Sequence, residues 1–547
     1  MKILLAQCSP KVGDLAGNTT MIIEAMKQAY DDGCDLIVFP ELALTAYPPE
    51  DLLLLPSFMA AVDRMLSKIQ QASEYIAVLL GFPCVDGDEL YNSLALFHRR
   101  SCVFRYHKQQ LPNYGVFDER RYFSSGAINQ ALSFSLHGQR IGVAICEDLW
   151  HPDFVARMKQ HTVDLWLSIN ASPFHIGKAE QRQQLLQLRA QEMACPIAYV
   201  NCVGGQDELV FDGGSQLALP DGRLFRTSHF STSYWPIELD GSQVLASSEA
   251  MMEPLAQLHQ ALVCGIRDYV RNNHAKRVVL GLSGGIDSAL SAVLAVDALG
   301  ADAVLGVLLP SHFSSDHSIQ DAESLARNLG IEYCTLPIAP VVEVTEDSLQ
   351  PLFEAWGHEG RDVCEENIQA RSRGLLLMAI ANKTGRMLLT TGNKSELAVG
   401  YATLYGDMCG AFSTLKDVYK TQVFALSRWL NEQSIASGQG IRIPKNSIEK
   451  PPSAELSPNQ VDADSLPDYE QLDAMLYALI EQHQSVEDLV QQGFDEAEVV
   501  RIERLLHQVE FKRRQSPPGV KVTTCAFGRD RRFPMTHQFR SSQYRDS

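Results

Sequence analysis

Residues 278–299 read VVLGLSGGIDSALSAVLAVDAL. An apolar run breaks into Ser-Gly-Gly-Ile-Asp-Ser, and small helix-forming residues follow at once. A strand that feeds a glycine turn and then a helix aims backbone N–H groups and a helix N-terminus at one point, an arrangement that receives phosphate oxygens. Gly284 and Gly285 let the main chain come close to such a guest, Ile286 and Asp287 complete the ATP-binding loop with them, and Ser283 and Ser288 supply hydroxyls. Asp287 repels phosphate and makes sense as a magnesium ligand. A Walker loop would carry a lysine here to reach the terminal phosphates. Its absence implies that the β and γ phosphates leave together as pyrophosphate, with the metal supplying positive charge.

Around this loop, strand-like and helix-like stretches alternate: 277–282, 288–299, 303–309, 318–329, 331–336, 363–382 and 386–391. That order predicts a doubly wound parallel sheet in an α/β domain. Residues 434–468 are rich in Pro, Ser and Asn, and a loop of that length predicts a mobile lid. Toward the N-terminus the pattern changes to short apolar strands at 2–9, 34–42, 75–83, 140–149, 164–172 and 195–205, with helical patterns at 17–30 and 178–193. Several of these runs are apolar on both faces, as in a sheet covered by helices. The stretch DGSQVLASSEAMME, 240–253, is small and polar. The expected division is a first domain over 1–245, a linker at 246–253 and a second domain over 254–547.

The whole chain bounds the chemistry. At 547 residues it exceeds a single core. A formal net charge of −19 speaks against nucleic acid or an anionic membrane as partner. No export leader and no run of 18 apolar residues stands out, and the twelve cysteines form no CxxC pair. A cytoplasmic, reducing setting is expected. Against this acidic background, residues 511–532 hold seven basic side chains and one acidic one, a local cluster suited to a polyanionic small substrate.

The N-terminal half offers a nucleophile. Cys146 ends the apolar run of RIGVAICEDLW, Glu41 follows another in VFPEL, and Lys108 follows a third in FRYHKQQ. Side chains at strand ends converge at one rim of a sheet. A thiolate nucleophile needs a proton acceptor and a positive neighbour. Glu41 can be the base, and Lys108 can stabilise an oxyanion. Cys8, Cys195 and Cys202 read as packing.

Two resemblances sharpen these readings. SGGIDS resembles the pyrophosphate loop of the ATP-pyrophosphatase family, whose members adenylate a carboxylate or carbonyl and then admit a nucleophile. ENIQARSRG (366–374), TTGNKSELAVGYATLYGDMCGAFSTLKDVYK (390–420), the segment 449–473 and FKRRQSPPGVKV (511–522) resemble segments of NAD synthetases. That resemblance implies that Glu396 joins Asp287 on magnesium, that Thr391 contacts ATP, and that Arg371, Asp407, Lys416 and Lys512 face deamido-NAD. FPEL, HKQQLPNYGVFDE and CEDLW, in that order, resemble the nitrilase superfamily of amide-cleaving enzymes, over about 1–240. The resemblance implies an αββα sandwich, Glu119 as a second carboxylate, and Tyr114, Glu147 and Ser172 as glutamine-binding residues. Where that family has arginine, SPFHIGK places Lys178, which keeps the charge without the bidentate grip.

Taken together, the halves resemble the glutamine-dependent NAD synthetases: one half liberates ammonia and the other consumes it. The implied cofactor is magnesium, with ATP as co-substrate and a C-terminal sheet of the adenine nucleotide alpha-hydrolase type. A homo-oligomer is expected. Other ATP-pyrophosphatase amidotransferases and tRNA-modifying enzymes share the loop, and the charge argues against the latter.

Overall fold

The computed structural model describes residues 1–539 apart from 241–242, 359, 454, 458–461 and 463–465. The chain divides into two compact units, Met1–Pro254 and Leu255–Ser547.

The first unit contains strands β1 (Lys2–Gln7), β2 (Leu36–Val38), β3 (Ala77–Asp86), β4 (Glu89–His98), β5 (Ser101–His107), β6 (Ser133–Leu136), β7 (Gln139–Ile145) and β8 (Leu165–Asn170). There follow β9 (Ile197–Asn201), β10 (Val203–Gln206), β11 (Leu209–Asp212), β12 (Gln216–Ala218), β13 (Leu224–Arg226), β14 (Ser233–Asp240) and β15 (Gln243–Ala246). One seven-stranded sheet runs β15-β14-β1-β2-β3-β4-β5, and a six-stranded sheet runs β13-β12-β9-β8-β7-β6. In each, the middle strands are parallel and the flanking ones antiparallel.

Strand periodicity builds the layers. Along β1, Ile3 and Leu5 enter the core between the sheets, while Leu4 and Ala6 enter a second core. The same alternation divides Leu36 and Val38 from Ile37, and Ala77 and Leu79 from Val78 and Leu80. The second core is closed by helices Leu15–Asp31 and Pro56–Ala72, through Ile22, Met26, Val62 and Ile69. Helices Pro152–Met158 and Lys178–Met193 pack Phe154, Met158, Leu186 and Ala190 toward the other sheet. An αββα sandwich results. The small polar stretch at 240–253 is not all linker, because Gln243–Ala246 pairs with β14 as an edge strand. Backbone pairing is indifferent to the small side chains that made the stretch look unstructured.

The second unit carries β16 (Val278–Gly281), β17 (Val304–Leu308), β18 (Glu332–Thr335), β19 (Met387–Thr390) and β20 (Phe412–Ser413). Their spatial order is β18-β17-β16-β19-β20, parallel throughout. Chain order reverses between β16 and β19, and ligands of doubly wound sheets bind outside such a switch point. Helix Ile286–Leu299 is buried over most of its length, in keeping with its run of Ala, Val and Leu, and the polar residues Asp287 and Ser288 sit in its first turn beside the glycine loop. Beyond the sheet, helices Tyr469–Ile480, Val486–Gln491 and Glu496–Gln508 form their own apolar cluster around Leu476, Leu489 and Ile502.

The predicted lid at 434–468 differs from expectation where it is described. Its first residues finish helix Lys420–Ala436, and Lys445–Glu449 is helical. Residues 454, 458–461 and 463–465 of that lid lie outside the described residues.

Candidate active sites

In the first unit, Glu41 follows β2, Lys108 follows β5 and Cys146 follows β7. All are buried. Lys108 Nζ donates to Glu41 Oε1 at 2.6 Å and to Glu119 Oε1 at 2.8 Å. Gly81 of β3 makes room for the base, since a Cβ there would lie 2.6 Å from Leu42 N and 2.9 Å from Glu41 Cα. Cys146 begins the short helix Cys146–Trp150 in the left-handed region, at φ 45°. Leu42, beside Glu41, has φ 49°. Non-glycine residues held there are strained, and such strain concentrates at functional turns.

Charge is tightly balanced in this cluster. Burial pushes the Cys146 thiol well up, and Glu41 adds to the rise while Lys108 opposes it. Burial also pushes the Glu119 carboxyl up to about 7, against the pull of Lys108. Two residues that sequence reasoning missed complete the cluster. Tyr47 donates its hydroxyl to Glu119 Oε1 at 3.0 Å, and Asn92 donates to Glu41 Oε1 at 2.7 Å. Tyr47 stands six residues after Glu41 in the turn that follows β2, yet nothing in its spacing marks it.

The residues expected around glutamine lie close by. The Tyr114 hydroxyl donates to Glu147 at 3.1 Å, and Glu147 directly follows Cys146. Lys178 Nζ sits 4.1 Å from the centroid of the Trp150 ring. Burial lowers the Lys178 ammonium, Arg182 adds to the fall, and Cys146 and Glu147 oppose it. Ser172 is clamped by its backbone: its N–H donates to Asn201 Oδ1 at 2.9 Å, and its carbonyl accepts from Asn201 Nδ2 at 3.2 Å. Behind it, fully buried Arg182 pairs with Asp212.

In the second unit, a cavity of about 320 Å³ opens at the switch point. Ser283, Gly285, Ile286, Asp287, Ser288, Thr391, Glu396 and Asp407 line it. The glycine turn is stitched by its serines: Gly285 N–H donates to Ser283 Oγ at 3.2 Å, and Ser288 Oγ donates to the Gly285 carbonyl at 3.0 Å. Gly284 has φ 78° and packs so closely that a Cβ would lie 2.2 Å from the Ser318 carbonyl oxygen.

A lysine does reach this loop, from a different element. Lys420 Nζ lies 2.5 Å from Asp287 Oδ2 and 3.2 Å from Glu396 Oε1. Asn393 Nδ2 donates to Asp287 Oδ1 at 2.9 Å, while Asn393 Oδ1 accepts from Glu396 N at 3.0 Å. This capping box, Asn393 with Glu396 three residues on, is a signal that the sequence did carry. Burial pushes the Glu396 carboxyl up to about 8, with Asp287 and Asp462 adding to the rise against Lys420. Asp407 is exposed to the cavity it lines, and the protein packed around that cavity pushes its carboxyl up to about 6.

Arg371, Lys416 and Lys512 do not line this cavity. Arg371 is exposed and donates to the Leu404 carbonyl at 3.1 Å. Lys416 is buried, its stem packed against Gly519. Lys512 Nζ donates to the carbonyls of Gly400 and Ala402, each at 2.9 Å. Most of the basic cluster at 511–532 is neutralised locally: Arg513, Arg514 and Arg531 pair with Glu510, and Lys521 pairs with Asp530. The arginine that does line the cavity is Arg373, which donates to the Leu309 carbonyl at 3.1 Å. Burial lowers its guanidinium to about 10.

Residues 2–243 match the carbon-nitrogen hydrolase family, and residues 258–516 match the NAD synthase family. Fold and sites together define the class: a carbon–nitrogen ligase that carries its own amide-cleaving domain. The chain is 42% identical to the glutamine-dependent NAD(+) synthetase of Thermotoga maritima, covering 99% of each chain, and 44% identical to that of Synechocystis, covering 98% and 99%. It is similar to the solved glutamine-dependent NAD+ synthetase of Acinetobacter baumannii in complex with ADP, at 40% identity, TM-score 0.79 and 98% of each chain. The fold also matches a glutamine-dependent NAD(+) synthetase from Cytophaga hutchinsonii, at 22% identity, TM-score 0.84 and 98% and 97% coverage. The chain belongs to the glutamine-dependent NAD(+) synthetase family.

Proposed function

We propose that this chain converts deamido-NAD to NAD, consuming ATP and taking ammonia from glutamine. The observation that carries this is the coexistence of two complete constellations: Lys108 bridging two buried carboxylates beside Cys146, and the Asp287–Lys420–Glu396 cluster beside a glycine turn.

In the first unit, Cys146 Sγ attacks the glutamine carboxamide carbon while Glu41 takes the thiol proton. Lys108 faces the oxyanion that forms. Collapse breaks the C–N bond, and Glu41 passes its proton to the nitrogen, which leaves as ammonia. Water, deprotonated by Glu41, then cleaves the thioester to glutamate and restores the thiol. Burial keeps the resting thiol protonated, so the thiolate forms only as the bond to carbon is made. Glu147 suits the α-ammonium of glutamine, Lys178 its α-carboxylate, and Tyr114 and Ser172 flank them.

In the second unit, the nicotinate carboxylate of deamido-NAD attacks the α-phosphorus of ATP and expels pyrophosphate. Ammonia then attacks the acyl carbon and AMP leaves. The N–H groups of the 283–288 turn, with the Ser283 and Ser288 hydroxyls, receive the pyrophosphate oxygens. Lys420 provides the ammonium that the turn itself lacks, Thr391 and Arg373 contact the nucleotide, and Asp407 faces deamido-NAD, whereas Arg371, Lys416 and Lys512, outside the cavity lining, have no direct role in this reading. The donor set fits magnesium: Asp287 and Glu396 are hard oxygen ligands, and Glu396 sits among more acids than one lysine offsets. Among the described residues no cluster of three or more metal-binding side chains occurs, so phosphate oxygens and water would complete the shell. When bound, the ion neutralises the departing pyrophosphate.

No helix among the described residues is long and apolar enough to cross a membrane. The net charge of −19 disfavours nucleic acid and anionic membranes and so favours small-molecule substrates. The test is product analysis. NAD, AMP, pyrophosphate and glutamate should form in equal amounts from deamido-NAD, ATP and glutamine. Cys146→Ala should make NAD only from ammonium salt; glutamine-supported synthesis by that variant would remove Cys146 as the nucleophile.

A further inference from the structure

The carboxylate of Glu41 has about four lone-pair positions to fill. Oε1 receives two donors, Lys108 Nζ at 2.6 Å and Asn92 Nδ2 at 2.7 Å. Oε2 receives one, the Ala171 N–H at 3.0 Å. The open lone pair therefore lies on Oε2. Asn92 is fully buried on β4, and its backbone carbonyl accepts the backbone N–H of Lys108 at 2.8 Å. One strand residue thus sets both the carboxylate and the lysine.

The other end of the Asn92 amide, Oδ1, is buried without a partner. An unsatisfied buried acceptor is costly, and an apolar side chain of the same shape would avoid that cost. Flipping the amide would press Oδ1 against a carboxylate oxygen, which fixes Nδ2 as the end that faces Glu41. The amide therefore acts on Glu41 as a donor.

We infer that Asn92 is a positioning residue for glutamine hydrolysis: with Lys108 it saturates Glu41 Oε1, so that Oε2 is the oxygen that takes the Cys146 proton. The inference rests on the reading of Glu41 as the base. The groups facing Glu41 are Lys108, Glu119, Tyr47, Cys146 and Cys202. Beside these, Asn92 is the neutral side chain that donates to Glu41 itself. Removing it takes a hydrogen bond from the charged form of the base, which makes protonation easier.

The experiment compares glutamate release against pH for the full chain and for Asn92→Leu, Asn92→Asp and Glu41→Gln. The thermal transition of the first unit serves as the control for its folding, and ammonia-dependent NAD formation as the control for the second unit. For Asn92→Leu, the acid limb of kcat/KM should move up by about one pH unit, a roughly tenfold loss on that limb. The loss should disappear at alkaline pH, with the KM for glutamine unchanged. Asn92→Asp puts a second carboxylate against Oε1 and should move the limb further in the same direction. It also provides the test should the leucine variant not fold. A merely structural role would lower activity equally at all pH values. Superimposable profiles, or a uniform fall, alongside an inactive Glu41→Gln variant would overturn the role of Asn92. Glutaminase activity retained by Glu41→Gln would instead overturn the assignment of the base.

Discussion

Replacing Lys108 by methionine keeps the stem and removes one buried charge. It leaves Glu41 and Glu119 facing each other without the cation now 2.6 and 2.8 Å from them. Breaking a buried pair by removing one partner costs about 3–5 kcal/mol. In a unit of this size, each kcal/mol corresponds to about 2–4 °C, so the transition of the first unit should fall by roughly 6–20 °C. The loss should depend on pH, with a definite sign. Lys108 is held well above its ordinary value of 10.5, so its contribution is fully present below that value and is lost only in strong alkali. Glu119 already stands at about 7, above its ordinary 4.5, with Lys108 pulling it down. Without Lys108 it rises further, and the folded variant binds a proton that the unfolded chain has released. Acid therefore relieves the repulsion. Scanning calorimetry of both proteins at about pH 8.5 and about pH 5.5 should show a clearly smaller deficit at the lower pH. An equal deficit at both, or one under about 1 kcal/mol, would refute the claim that Lys108 holds two ionised carboxylates together.

Asp287→Asn should abolish NAD formation from either nitrogen source while leaving glutamate release intact; near-normal synthesis from ammonia would remove Asp287 from the metal site. Lys178→Arg should lower the KM for glutamine by allowing a two-bonded grip on the α-carboxylate, and an unchanged or raised KM would show that Lys178 points elsewhere. Gly284→Ala should damage NAD synthesis more than glutaminase activity, because φ 78° and a 2.2 Å approach to Ser318 leave no room for a methyl; an equally active variant would mean that the turn can shift freely.

The N-terminal cluster was legible because Glu41, Lys108 and Cys146 each end an apolar run, and strand ends gather in space. The glycine turn was legible for the same reason. Arg373 was not. It lies two residues from Arg371 on helix Val363–Thr384, hence on nearly the opposite side, and the run Leu375, Leu376, Leu377 makes no single face stand out. Choosing the cavity-facing arginine required the packed structure. Lys420 was missed because its partners come from two other elements, more than a hundred residues away in the case of Asp287. Asn92 was missed because a buried polar residue in a strand carries no pattern of its own, and Tyr47 because it lies in the irregular turn after β2, where no periodicity applies. The helix Lys445–Glu449 escaped notice since composition describes a segment and not each turn within it.

The burial of Cys146 has a practical consequence at the bench. Cys102 and Cys334 are exposed, whereas Cys146 is enclosed and its thiol is pushed well up by burial. Alkylating reagents at neutral pH select for accessible thiolate. In the resting protein they will modify Cys102 and Cys334 first, and a titration of reactive sulfhydryls will not count the nucleophile. The same enclosure shields that sulfur from adventitious oxidation between turnovers. A label that reports on Cys146 has to enter as an amide mimic, because only a carbonyl placed at that rim calls the sulfur into its reactive form.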